Sequence, residues 1–167
     1  LTFDEALRVA RDRNPSSLRA VNGIENAQLT AVQRRGALLP REAFLVTEEI
    51  GGAVGLASYL DEHDLREMAP AEKQRLIEEL ADLVAAMARA GVCHGDLHVG
   101  NLMIVPDAPT GERLHVLDLH RVRLGRATRR RVRRMLVYLA SSTAKRGASS
   151  ADRVRFLKEF LRRWKGE

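Results

Sequence analysis

Two short stretches of the chain carry residue types that could perform chemistry. The first, HGDLHVGNLMI (residues 94–104), places Asp96 and Asn101 among glycines just before an apolar run. The second, VLDLHRV (residues 116–122), places Asp118 directly after another apolar run. Carboxylate and amide oxygens suit Mg²⁺, which fills its remaining positions with water and substrate phosphates. Phosphoryl transfer uses such a set: one aspartate orients the attacking hydroxyl, while an Asn and a second Asp hold the metal.

The elements around these stretches would bring the three side chains together. The apolar runs 102–105 and 114–117, separated by a segment containing PDAPTG, predict a β-hairpin. Because the two strands of a hairpin lie side by side, the residues that flank its open end meet. We therefore expect the three oxygen-bearing side chains to converge at that end.

Helices are expected over most of the rest of the chain. Hydrophobic periodicity and boundary residues predict helices at 2–13, 18–35, 56–63, 71–90, 128–145 and 151–164. One further segment, AFLVTEEI (residues 43–50), carries β-branched and aromatic residues and predicts a strand. The fold class is therefore α+β, dominated by helix.

The composition describes a globular protein that favours anionic partners. Hydrophobic residues at 45% and charged residues at 30% of 167 exclude a disordered tail. No apolar run reaches the roughly 18–20 residues that span a bilayer. The single cysteine, Cys93, excludes an intrachain disulfide and is expected to be a buried thiol. A net charge of +6 favours phosphates, nucleic acid or acidic lipid.

Eight arginines are concentrated between Arg121 and Arg134. They could face an anionic membrane or a glycolipid, bind nucleic acid, or form a solvated helix face. Aromatic residues make up only 4% of the chain, which supplies little base stacking and argues against nucleic acid as a partner. A membrane or glycolipid surface is the functional interpretation we favour.

Two histidines at a spacing of four, His94 and His98, also allow a zinc site. That spacing aligns two ligands only on a helix, and Gly95 and Gly100 argue against a helix here. We expect His94 to support the catalytic loop through hydrogen bonds to the backbone. His98 could contact phosphate or metal, or simply pack, and we count it among the cofactor-binding candidates.

The chain resembles the lipopolysaccharide kinase family over roughly residues 16–161. The runs GVCHGDLHVGNLMI, LHVLDLHRVRLG and ADRVRFLKEFL carry the resemblance, and DLHRVRLG is its most discriminating part. Members phosphorylate inner-core sugars, heptose or 3-deoxy-D-manno-octulosonic acid, and share a protein-kinase-like fold. The resemblance implies a partial N-terminal lobe at 1–50, with a glutamate helix and a hinge strand. It implies a helical C-terminal lobe at 51–167, with the catalytic loop and a metal-binding hairpin.

The resemblance also implies a role for each matching residue. Asp96 would be the catalytic base, with His94 beside it in the catalytic set. The remaining implied residues, all ligands of metal or nucleotide, are Asn101 and Asp118 for magnesium and Glu25, Glu48 and Ile50 for ATP. Glu25 would pair with an ATP-binding lysine, and the hinge at 48–50 would receive adenine. ATP and Mg²⁺ are the implied cofactors, with a sugar or glycolipid substrate at the cytoplasmic face of the inner membrane.

The chain departs from the kinase pattern in two places. Family members commonly read HRD, whereas Gly95 gives this chain HGD. Aminoglycoside phosphotransferases also read HGD. No lysine precedes Lys73 and no GxGxxG occurs, so the parts that hold the ATP phosphates are missing. We therefore expect the natural protein to be longer. Two alternatives stay open: an aminoglycoside-type phosphotransferase, and a non-catalytic pseudokinase that binds partner proteins or lipid.

Overall fold

A computed structural model describes residues 30–35, 40–46 and 50–165, in which short strands alternate with helices. The strands are β1 Thr30–Arg35, β2 Pro40–Val46, β3 Val54–Gly55, β4 Val92–His94, β5 Leu102–Ile104, β6 Leu114–Val116 and β7 Val122–Leu124. The helices are α1 Leu56–Glu62, α2 Pro70–Arg89, α3 Arg129–Ala144 and α4 Ser150–Lys165. Two 3₁₀ turns, Val99–Asn101 and Leu119–Arg121, flank the β5–β6 hairpin.

The first two strands form an antiparallel ribbon that corrects one prediction. Thr30 pairs with Val46 and Val32 with Phe44, so the helix predicted at 18–35 is wrong over residues 30–35. A short apolar pattern with β-branched residues fits either period, and the partner strand, which no local pattern reveals, decides between them. The strand predicted at 43–50 is present as β2, Pro40–Val46, and residues 47–49 lie outside the described residues.

The predicted helices of the second half of the chain are confirmed within one or two residues. Pro70 occupies the first turn of α2, where its missing N–H costs nothing. Gly91, with φ +74°, follows the end of α2 in the left-handed conformation that favours glycine. The buried core side chains that α2, α3 and α4 share are Leu76, Leu80, Leu83, Val84, Met87, Val132, Met135, Leu139 and Phe160.

The predicted hairpin is confirmed and lies in a three-stranded antiparallel sheet of order β3-β5-β6. Leu102 pairs with Val116 and Ile104 with Leu114. A second sheet pairs β4 with β7. Strands β3, β4 and β7 were not predicted, because two or three residues are too short to show an alternating pattern and no turn-linked partner run marks them, as one marks β5 and β6.

A buried arginine fastens the turn end of the hairpin to α2. The Arg113 side chain is only 2% exposed, and its guanidinium donates to Glu72 at 2.7 Å and to Glu79 at 3.1 Å. A buried charge is tolerated only when it is paired. Burial opposes the charge of Arg113, but the hydrogen bond to Glu72 and the charge of Glu79 outweigh it and raise the pKa of Arg113. These ion pairs fix the position of the hairpin against the helical core.

Candidate active site

The loop after β4 is held by a buried histidine. The backbone N–H of Asp96 donates to Nδ1 of His94 at 3.1 Å, and Nε2 of His94 lies 3.0 Å from the Leu117 carbonyl oxygen. Because Nδ1 accepts a hydrogen bond, the ring hydrogen is on Nε2, which donates a hydrogen bond to the Leu117 carbonyl. The backbone hydrogen bonds predicted for His94 are therefore present. They join the loop that contains Asp96 to the end of β6.

Asn101 connects the same two segments from the other side. Its Nδ2 donates to the Asp96 carbonyl at 2.9 Å, and its own carbonyl accepts from Leu117 N–H at 2.8 Å. The amide orientation leaves Oδ1, a hard oxygen donor, for a ligand. The structure thus brings Asp96 and Asn101 into direct contact. Asp118 directly follows Leu117, whose N–H bonds to Asn101.

Asp118 has an unusual backbone conformation. Its φ of 58° and ψ of 57° are left-handed, and within the described residues it is the one non-glycine residue with positive φ. Aspartate tolerates this region better than most residues, yet the conformation still costs on the order of 1 kcal/mol or more. Such a cost concentrates at functional positions, which supports a functional hypothesis for Asp118.

The donor set at this corner fits magnesium better than zinc. The Asn101 amide oxygen and the Asp118 carboxylate match the few hard ligands that Mg²⁺ takes beside nucleotide phosphates. Over residues 50–165, no group of three or more His, Cys, Asp or Glu could hold a metal ion. Both ring nitrogens of His94 are engaged by backbone atoms, and Nδ1 of His98 accepts from Gly100 N–H at 3.0 Å. The zinc hypothesis therefore has no geometric support at these two histidines.

Of the remaining predicted cofactor residues, two are described and two are not. His98 caps the 3₁₀ turn Val99–Asn101 and lines a groove of about 370 Å³ beside α3. The carbonyl of Ile50 accepts from Ala53 N–H at 3.1 Å in the turn that precedes β3. Glu25 and Glu48 lie outside the described residues. The nucleotide contacts assigned to these four residues stay predictions.

Sequence reasoning missed how closely Gly95 and Arg121 approach each other. Gly95 N–H donates to the Arg121 carbonyl at 3.0 Å, which extends the β4–β7 ladder by one bond. Nη1 of Arg121 lies 3.6 Å from Oδ2 of Asp96. The only sequence signal was the glycine inside the HGD motif, which marks a place where another backbone comes near.

Burial shifts the pKa of two further titratable groups near the loop. Cys93 is buried, and burial raises the pKa of its thiol. Burial lowers the pKa of the other group, His115, because it disfavours the charged imidazolium. The expectation of a buried thiol at Cys93 is thus confirmed.

The arginine-rich segment is largely solvated. Its exposed members are Arg121, Arg123, Arg126, Arg129, Arg130, Arg133 and Arg134. The guanidinium of Arg134 lies 5.7 Å from the centre of the Tyr138 ring, one turn along α3. None of the described helices is both long enough and apolar enough to cross a lipid bilayer.

Comparison with known proteins places the chain in a family. The model of the lipopolysaccharide kinase (Kdo/WaaP) family matches residues 16–160, which include the loop at residues 95–101 and the β5–β6 hairpin. The chain belongs to this family. The resemblance seen in the motifs is therefore confirmed.

Individual relatives agree with this membership. The lipopolysaccharide core heptose(I) kinase WaaP of Pseudomonas aeruginosa is 34% identical over 146 residues, which cover 84% of this chain and 54% of that protein. The serine/threonine-protein kinase Pkn1 of Chlamydia trachomatis is 32% identical over 84 residues, which cover 48% of this chain and 12% of that protein. The chain thus spans about half of the heptose kinase and a smaller part of Pkn1.

A solved structure confirms the fold. The structure described as WaaP in complex with acyl carrier protein superposes with a TM-score of 0.64 at 31% identity, covering 88% of this chain and 64% of that one. The predicted α+β, protein-kinase-like fold, mainly a helical C-terminal lobe with a partial N-terminal lobe, is therefore confirmed. The boundary between the lobes at residue 50 stays a prediction.

Proposed function

We propose that this protein is an ATP-dependent kinase that phosphorylates a sugar hydroxyl of the lipopolysaccharide inner core. The observation that carries the proposal is the 2.9 Å hydrogen bond from Asn101 Nδ2 to the Asp96 carbonyl, in a chain of this family. That bond fixes a potential base and a potential metal ligand on one short loop, and His94 ties the loop to the segment that carries Asp118.

Each residue of the corner would have its own part in the reaction. The Asp96 carboxylate would accept the proton of the sugar hydroxyl while the sugar oxygen forms its bond to the γ-phosphorus of ATP and the bond to the β,γ-bridging oxygen breaks. Asn101 and Asp118 would hold Mg²⁺, which when bound neutralises charge on the phosphates. His94 would keep the loop and the Asp118 segment in register, because it contacts the backbone of both.

The test is phosphate transfer by the full-length natural protein. Radiolabelled ATP and Mg²⁺ are supplied with either purified lipopolysaccharide core or an aminoglycoside. We expect label in the core, and Asp96→Asn should lower turnover by about 10²–10⁴-fold, the usual contribution of a general base. Asp107→Asn, at an exposed aspartate of the hairpin loop, is the matched control and should keep the wild-type rate.

The other outcomes separate the alternatives. Transfer to the aminoglycoside alone would favour a small-molecule phosphotransferase, which the HGD motif also suggested. Binding of partners without transfer to either acceptor would favour a pseudokinase. A near-normal rate of Asp96→Asn would remove the base assignment while leaving the kinase activity itself standing.

The proposed location is the cytoplasmic face of the inner membrane, with peripheral attachment through the arginine-rich segment. The exposed guanidinium groups at the start of α3 support this, since each basic side chain near an anionic surface contributes about 1 kcal/mol. Vesicles with anionic lipids should retain the protein at low salt and release it at high salt. Substitution of Arg129, Arg130 and Arg133 by glutamine should abolish retention. Equal binding to neutral vesicles would contradict the proposal.

A second ligand is suggested by an apolar groove that α3 lines together with the other helices. The apolar groove, of about 530 Å³, lies among the four helices, and its walls include Leu60, Leu76, Leu80, Val137, Val154 and Leu157. Val137, Val154 and Leu157 are exposed at its mouth, although large apolar side chains are usually buried. The related WaaP is described in complex with acyl carrier protein. By its name that partner holds an acyl chain, which is the kind of ligand such a groove would bury.

We therefore propose that acyl carrier protein docks here and inserts its acyl chain into the apolar groove. The acylated form should bind more tightly than the form without an acyl chain. Leu157→Asp should abolish this preference, because it places a charge in the groove. Leu161→Asp, at a similarly exposed leucine of α4 that does not line the groove, should retain it. Equal binding of both forms would contradict acyl insertion.

A further inference from the structure

The missing arginine of the HGD motif has a counterpart elsewhere in the active site. Kinases that read H-R-D carry an arginine beside the catalytic aspartate. In this chain the position is Gly95, and the guanidinium of Arg121 approaches the same aspartate from the end of the second 3₁₀ turn. The distance from Arg121 Nη1 to Asp96 Oδ2 is 3.6 Å.

The glycine is what allows this approach. A Cβ on Gly95 would lie 2.9 Å from the Arg121 carbonyl oxygen and 3.3 Å from the Arg121 Cβ. The nearer contact is with backbone, which cannot swing aside as a side-chain tip can. Any other residue at position 95 would therefore push the Arg121 strand away from the catalytic loop and lengthen the 3.0 Å bond between them.

The backbone and the carboxylate of Asp96 are contacted by different residues. The backbone of Asp96 is fixed by His94 and Asn101, so what remains adjustable is the rotation of its side chain. Arg121 reaches one carboxylate oxygen, Oδ2, which leaves the other, Oδ1, for a substrate hydroxyl. The Arg121 side chain is 59% exposed and that of Asp96 is 30% exposed, so the pair contributes little to folding and can serve orientation instead.

We propose that Arg121 is a positioning residue that orients the Asp96 carboxylate, and that Gly95 is required because it lets the Arg121 backbone approach. The inference rests on the proposed kinase function and adds a residue to it. Arg121 takes over the place beside the base that the H-R-D arginine leaves empty.

The first arm of the test is Arg121→Gln in the full-length protein, with steady-state kinetics for ATP and for the sugar acceptor. A misplaced catalytic group can cost up to about 100-fold, so we expect kcat to fall by about 10- to 100-fold. The KM values for ATP and acceptor should not change, and neither should the thermal midpoint of unfolding. Arg121→Lys should recover part of kcat, because it retains the positive charge.

The matched control is Arg66→Gln. Arg66 forms an ion pair with Asp64 whose side-chain exposures, 75% and 32%, resemble those of the Arg121–Asp96 pair. It lies in the loop between α1 and α2, so the same chemical change there should leave kcat as it was. If Arg121→Gln behaves as Arg66→Gln does, the positioning role is excluded. If it raises the acceptor KM at constant kcat, Arg121 contacts the acceptor and the inference is equally overturned.

The second arm concerns Gly95. Gly95→Ala should lower kcat to a similar degree and increase amide hydrogen exchange in peptides that span residues 92–98, because the bond to Arg121 is weakened. Unchanged exchange and unchanged kcat would overturn the requirement for glycine. A wild-type protein that transfers no phosphate would overturn both the proposed function and this inference, whereas an active wild type with an unaffected Arg121→Gln would overturn only the inference.

Discussion

The two ends of the β5–β6 hairpin carry charge in opposite ways. At the turn end, Arg113 is 2% exposed and paired with two glutamates of α2. At the open end, Asp96 is 30% exposed, and Asp118 and Arg121 are exposed. One end binds the hairpin to the core, while the other presents polar groups to whatever enters the site. The same small element therefore serves as an anchor and, under the proposed function, as the frame of the active site.

The difference follows from the cost of burying charge. A buried ion pair tolerates no loss of a partner, since the remaining charge has neither water nor a counter-ion. An exposed pair is screened by solvent and contributes little to stability, so its groups remain available to exchange partners with a substrate. We therefore expect substitutions at the turn end to change stability and substitutions at the open end to change activity.

The largest effect should come from Arg113→Met. This substitution leaves Glu79, whose side chain is 4% exposed, buried without its main partner. Loss of one member of a buried pair costs about 3–5 kcal/mol in the free energy of unfolding, which corresponds to a fall of ~10 °C in Tm for a chain of this length. Thermal and urea unfolding would measure it.

Arg75→Met provides the control for that experiment. Arg75 also contacts Glu79, at 3.3 Å, but its side chain is 39% exposed. Its loss should cost less than about 1 kcal/mol, as for other exposed pairs. Replacing Glu72 and Glu79 by glutamine in the Arg113→Met background should recover much of the stability. Equal losses from Arg75→Met and Arg113→Met would contradict the anchor.

The second prediction concerns the open end, where activity should change more than stability. Asn101→Ala removes the hydrogen bond to the Asp96 carbonyl and, under the proposed function, one magnesium ligand. Net loss of a hydrogen bond costs about 1 kcal/mol of stability. Phosphate transfer should fall by about 100-fold, the upper end of the loss seen when a metal site is disturbed. Excess Mg²⁺ should restore part of the activity.

Ser142→Ala is the matched control for Asn101→Ala. Ser142 Oγ accepts from Val99 N–H at 3.2 Å, so it too holds the loop through one hydrogen bond. The two variants should lose similar stability, and only Asn101→Ala should lose transfer. Comparable kinetic losses in both would show that any disturbance of the loop is enough, and the assignment of Asn101 would fail.

The open end could be predicted from sequence because local structure determines it. Once the apolar runs pair, Leu102 faces Val116, and Asn101 and Leu117 must meet at the next position. The left-handed backbone of Asp118 comes directly after this open end, and no residue pattern predicts it.

The anchor at the turn end could not be predicted in this way. Arg113 bonds to glutamates that lie 34 and 41 positions earlier in the chain, and nothing near Arg113 marks it as buried. The same limit explains why residues 30–35 were assigned to a helix: the partner strand of β1 lies beyond any local pattern. Pairings between distant segments are fixed by packing, which periodicity alone does not specify.

The smallest predicted effect concerns a partly exposed charge cluster on α4, the counterpart of the buried Arg113 anchor. Hydrogen bonds from Arg162 and then from Arg163 lower the pKa of Glu159, and Arg163 also bonds to Asp82 of α2. Because the folded pKa lies below the ordinary value of 4.5, the stabilisation is present above that pH and is lost as pH falls through the folded pKa. Glu159→Gln should therefore lower Tm at neutral pH by no more than about 4 °C, and the deficit should shrink in acid. In a background where Arg162 and Arg163 are both glutamine, Glu159→Gln should have no pH-dependent effect. If Glu159→Gln alone lowered Tm as much as Arg113→Met does, the distinction between buried and partly exposed charge would fail.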